Sequence, residues 1–110
     1  MANRVPTISS HVLDTGLGAP AVGVTIRLAL VGPDGHEVPI GSAVTDSDGR
    51  VGDLLGRPLV AGMYRLRFET GERSPLFQAI ALDLRVTDID RSYHVPLLLT
   101  AFGLSTYLGS

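Results

Sequence analysis

An antiparallel β-sandwich of seven or so short strands is the fold this 110-residue sequence predicts. Three observations carry that prediction. Apolar residues recur at every second position in several separate stretches, which is the period of a half-buried strand. Turns rich in glycine, proline and aspartate punctuate the chain about every ten residues. No segment of useful length shows the apolar period of a helix. The length suits one domain, so residues 1–110 are read as a single unit without repeat, linker or low-complexity segment.

Residues 8–14, ISSHVLD, form the first short strand, and the turn TGLGAP follows at 15–20. Val22, Val24, Ile26, Leu28 and Leu30 alternate as a second strand. Gly32-Pro33-Asp34-Gly35-His36 is a turn built on Pro-Asp-Gly, and residues 37–45 make a weaker strand ending at Thr45-Asp46-Ser47-Asp48-Gly49-Arg50. Residues 51–59 are irregular, and Pro58 excludes a central strand there. Tyr64, Leu66 and Phe68 alternate with Arg65, Arg67 and Glu69, so one face is buried and the other charged. The loop at 70–76 has room for one helical turn at most. Ile80, Leu82, Leu84 and Val86 alternate again.

The last stretch, residues 93–110, is the most apolar in the chain. Tyr93, Val95, Leu97 and Leu99 suit a core, which turns His94 and Leu98 to the opposite face. After Gly103, residues 104–108 alternate as another strand. A histidine beside apolar residues on an outward face points to contact with another subunit.

Composition narrows the chemistry. The hydrophobic fraction of 45% is high for a small domain of this kind and favours an oligomer. A net charge of −2 gives no reason to expect nucleic-acid binding. No apolar run is long enough to span a membrane, and the first residues lack a secretory signal. With no cysteine there is no disulfide, thiolate nucleophile or zinc–sulfur site, and a cytoplasmic location is expected. All nine basic residues are arginine, which excludes a lysine Schiff base. Proton transfer near neutral pH therefore falls to His11, His36, His94 or a perturbed carboxylate. Asp46, Asp48 and Asp53 lack the spacing and closing glutamate of a calcium loop, so no metal is expected. His36 reads as an exposed turn residue.

Three separated segments carry a resemblance. They are Ser9-Ser10-His11-Val12-Leu13-Asp14-Thr15 with Gly18 and Pro20 behind, then Thr45-Asp46-Ser47-Asp48-Gly49-Arg50, then Tyr93 to Leu99 through the final Tyr107-Leu108-Gly109-Ser110. In this order they resemble the 5-hydroxyisourate hydrolases, the transthyretin-related enzymes of purine breakdown. The resemblance implies a transthyretin-like sandwich of seven to eight strands with its small helix reduced or absent. It implies a homotetramer with sites at subunit interfaces, a small-molecule substrate and no cofactor. By position, His11, Arg50 and His94 match the family's catalytic trio, and Tyr107, Leu108, Gly109 and Ser110 match the segment that closes over the substrate. The chain departs from that pattern at Leu108, where the family ordinarily has arginine. That exchange makes the expected site less cationic and keeps two alternatives open: a related enzyme acting on another cyclic amide, imide or natural-product intermediate, and a non-catalytic carrier of a small ligand.

Overall fold

The computed structural model describes residues 5–109, and its ten strands build two sheets with no helix among them. β1 (Ile8–Asp14), β2 (Ala19–Pro20), β5 (Arg50–Val51), β8 (Tyr93–His94), β9 (Leu97–Leu99) and β10 (Leu104–Thr106) form one sheet. β3 (Thr25–Val31), β4 (Glu37–Val44), β6 (Gly62–Glu69) and β7 (Ala79–Val86) form the other, in the order β4-β3-β6-β7.

The four-stranded sheet follows from the alternation. Tyr64, Leu66 and Phe68 point inward and are buried, as are Ile26 and Leu28 on the adjacent strand. Arg65 and Arg67 point outward, where Arg65 holds Asp83 with two hydrogen bonds of 2.7 and 3.0 Å and Glu37 at 3.1 Å. These pairs join β6 to both β7 and the more distant β4. β4 pairs with β3 along its whole length, with one irregularity opposite Leu28 and Ala29. Its weak alternation reflects its place at a sheet edge, where Pro39 is tolerated and Val38 stays exposed.

Two expectations change in detail and one holds. The second strand starts at Thr25, because Gly23 has φ +81° and Val24 turns in to pair with Thr45; Val22 is left exposed in the preceding loop. The loop after β6 closes a single turn, with the N–H groups of Arg73 and Ser74 both donating to the Thr70 carbonyl, and goes no further. The last strand is confined to Leu104–Thr106, and Tyr107 and Leu108 lie beyond it.

β1 organises the other sheet. Its neighbour on one edge is the C-terminal stretch, running parallel to it. Ile8 faces Tyr93, Ser9 faces His94, and Val12, Leu13 and Asp14 face Leu97, Leu98 and Leu99. The offset is the same throughout, so β8 and β9 are one strand interrupted at Pro96, which has no N–H to give the ladder. The sheet is therefore mixed, with antiparallel pairings of β1 to β2 and β5 and of β9 to β10. Ile8, Val12, Val95, Leu97 and Leu99 face the core with Phe68, Leu66 and Tyr64. Full burial of each such side chain stabilises by roughly 1.5–3 kcal/mol. Ser10 is buried among them because its hydroxyl donates to the Val95 carbonyl at 2.7 Å.

Candidate active site

The outer face of the mixed sheet gathers three of the expected residues. Ser9 and His11 are two apart on β1 and so project to the same side, opposite the buried Ile8, Ser10 and Val12. Arg50 on β5 pairs directly with His11, and His94 on β8 pairs directly with Ser9. Paired residues on neighbouring strands share a face, and strands lie about 4.8 Å apart. His11, Arg50 and His94, distant along the chain, are thus brought onto one patch. The two imidazoles are half-buried and the guanidinium is exposed.

Each ring is oriented by a neighbour. His11 Nε2 lies 2.8 Å from the Asp48 carbonyl oxygen. A carbonyl only accepts, so Nε2 carries the proton and, in the neutral ring, Nδ1 carries the lone pair. His94 Nδ1 lies 2.8 Å from the Ser9 hydroxyl, which leaves Nε2 for chemistry. Burial first, then the positive charges of Arg50 and His11, hold the His94 pKa below the ordinary histidine value. His94 is therefore neutral at physiological pH and able to take a proton.

Local sequence explains why Arg50 arrives here. Gly49 has φ +76°, and a Cβ at that position would press on the Val12 carbonyl. Its own carbonyl accepts from Val12 N–H at 2.7 Å, fastening the turn to β1. Only glycine meets both conditions.

The C-terminal segment divides between two places. Gly109 donates its N–H to the His94 carbonyl at 2.7 Å and lies so close to the imidazole that a Cβ would stand 2.7 Å from His94 Cδ2. Tyr107 and Leu108 instead line an apolar depression of about 480 Å³ with Leu82, Leu84 and Val95. Ser110 lies outside the described residues. A larger cavity, about 670 Å³, sits between Val22–Thr25 and the loop after β6, and includes none of the three converging residues. Ser9 and Asp46 are site neighbours that the spacing of residue types did not single out. Asp46 Oδ1 accepts the N–H groups of both Asp48 and Arg50, while Asp53 caps a separate turn.

The sequence pattern of the HIUase/Transthyretin family matches residues 8–109. The chain is 42% identical over 115 residues to 5-hydroxyisourate hydrolase 2 of Rhizobium meliloti, covering 94% of this chain and 95% of that protein. The solved structure of Klebsiella pneumoniae 5-hydroxyisourate hydrolase superposes with a TM-score of 0.83 at 34% identity, covering 96% of this chain and 99% of that one. Sea bream transthyretin, solved in complex with thyroxine, superposes with a TM-score of 0.84 at 25% identity over 94% of each chain. With its sandwich and nearly its whole sequence accounted for in this way, the chain belongs to the HIUase/Transthyretin family.

Proposed function

We propose that this protein hydrolyses 5-hydroxyisourate, with His11, Arg50 and His94 as its catalytic residues. The observation that carries the reading is their convergence on one sheet face through the pairing of β5, β1 and β8. The names of the hydrolase relatives support the substrate.

The chemistry follows from the groups. Water attacks a ring carbonyl and gives its proton to a neutral imidazole as the new C–O bond forms. Arg50 stabilises the negative charge developing on the carbonyl oxygen and holds an acceptor-rich, anionic ring. The C–N bond then breaks, and the protonated imidazole returns its proton to the departing nitrogen. The second imidazole orients the water. No metal or cofactor enters these steps. Gly109, lying on the His94 ring, forms one wall of the substrate site, and a homotetramer with a second subunit over the same sheet face encloses it. A cytoplasmic setting in purine breakdown belongs to the same reading.

Leu108 favours a second reading. It is half exposed where the family pattern expects a cation, and beside an apolar depression it favours a less polar cyclic amide or imide as substrate. Likeness to a transthyretin solved with thyroxine also fits carriage of a small ligand, for which neither histidine is needed.

The test is spectroscopic. 5-Hydroxyisourate is generated with urate oxidase and its decay followed with and without the protein. Acceleration by the parent, reduced roughly 100- to 1000-fold in His11→Ala, Arg50→Gln and His94→Ala, supports the proposal. A folded parent that leaves the decay unchanged refutes it and directs attention to the substrate-shifted and carrier readings.

A further inference from the structure

We propose that Asp46 is a positioning residue, which fixes the tautomer of His11 and the placement of Arg50 through the backbone of the turn at 46–50; the inference rests on reading His11 and Arg50 as site residues. Asp46 touches neither side chain through a hydrogen bond of its own. Its Oδ1 accepts the N–H of Asp48 and the N–H of Arg50, each at 2.9 Å. Its N–H donates to the Arg50 carbonyl at 3.0 Å, and its carbonyl accepts from Gly49 at 2.9 Å. One aspartate therefore makes four bonds that close a five-residue loop on itself.

Two of the groups so fixed face the site. The peptide that follows Asp48 presents its carbonyl to His11 Nε2 at 2.8 Å, and that contact sets which imidazole nitrogen keeps the lone pair. The residue after Gly49 is Arg50, whose backbone begins β5 opposite His11. The arrangement has a directional chain of cause. The carboxylate holds the N–H groups of Asp48 and Arg50, which belong to the peptides on either side of the Asp48–Gly49 peptide. That peptide, whose own N–H donates to the Asp46 carbonyl, is bracketed between them, and its Asp48 carbonyl sets the ring. The Arg50 and Asp48 N–H groups, in that order, also hold the Asp46 carboxyl below the usual carboxylate range, so the acceptor stays ionised across neutral pH. A misplacement of even 1 Å in such a support costs roughly 100-fold in rate.

Two substitutions separate geometry from charge. Asp46→Asn keeps an oxygen at the same reach and loses the charge. Asp46→Glu keeps the charge and adds one methylene, which moves the acceptor. The first readout is ¹⁵N-edited NMR of the His11 ring at a pH where it is neutral. The parent and Asp46→Asn are expected to show the Nε2–H form and kcat/KM values within a few-fold of each other. Asp46→Glu is expected to show mixed tautomers and a kcat lowered roughly 10- to 100-fold with KM little changed. Should Asp46→Glu not fold, Asp46→Ser, a shorter acceptor, takes its place and is read in the same way. A folded Glu or Ser variant with the parent's tautomer and rate overturns the proposal, as does a folded Asn variant that loses either, or a parent without the Nε2–H form. The tautomer is read without any substrate, so its outcome is separate from the fate of the hydrolase reading.

Discussion

Arg50 acts on the imidazole across the sheet. His94 resists protonation first because it is half-buried and then because Arg50 and His11 place positive charge near it. The sign is definite: the neutral ring persists to lower pH than an ordinary histidine, so the acid limb of kcat/KM should fall below about pH 6.5. Arg50→Gln removes one cause and leaves burial in place. The His94 titration, followed by NMR of its ring protons, should move upward toward the ordinary value; an unmoved or lowered midpoint would show the two groups are not coupled. The same shift makes the native state a poorer proton acceptor than the unfolded chain. Stability should decline as pH falls from the unfolded histidine value to the lowered folded one, and His94 contributes no further loss below that. A second residue-scale expectation concerns Gly109, whose missing side chain lets the tail lie on His94. Gly109→Ala should displace ring or tail and lower activity while leaving the thermal midpoint nearly unchanged, since the position is at the margin of the fold. That His11, Arg50 and His94 belong to one group was legible in the sequence through the segments that hold them. Asp46 and Ser9 were not, because their roles consist of hydrogen bonds to backbone and ring that residue spacing does not display. An aspartate ahead of Asp-Gly is the one signal that could have pointed to a side chain closing its own turn.

At the scale of elements, strands whose two faces differ were the readable ones. The inward Tyr64, Leu66 and Phe68 and the outward Arg65 and Arg67 of β6 left no ambiguity, and β7 followed the same rule. Val22 misled because its period continued that of β3 across Gly23, where the backbone leaves the strand. The parallel pairing of β1 with β8 and β9 was hidden for a different reason: alternation tells which way side chains face, never which strand lies alongside or in which sense it runs. The turn before β5 makes its own prediction. Gly49→Ala meets a positive φ and the Val12 carbonyl together, so it should destabilise by about 1–3 kcal/mol or more. Chemical denaturation measures this, and a neutral result would show that the turn relaxes without strain.

At the scale of the molecule, the two sheets share one core, and Leu97 is wholly buried within it. Leu97→Ala should lower the unfolding free energy by about 2–5 kcal/mol. Light scattering at micromolar concentration should return a tetramer, and a stable monomer would count against a site enclosed by a second subunit. The general plan of the sandwich was legible because length, turn spacing and alternation agree.

The steady offset between β1 and the C-terminal stretch has a consequence in time. Ser9 and His94 stand 85 positions apart yet side by side, so the loop that must close to join them is almost the entire chain. Such closure comes late and slowly. During synthesis the four strands of the other sheet emerge complete while β1 still waits for its parallel neighbour. A nascent chain halted before residue 93 should hold one imidazole and the guanidinium of that patch but not the second imidazole beside Ser9, so the patch would be completed abruptly by the C-terminal stretch rather than grow with length.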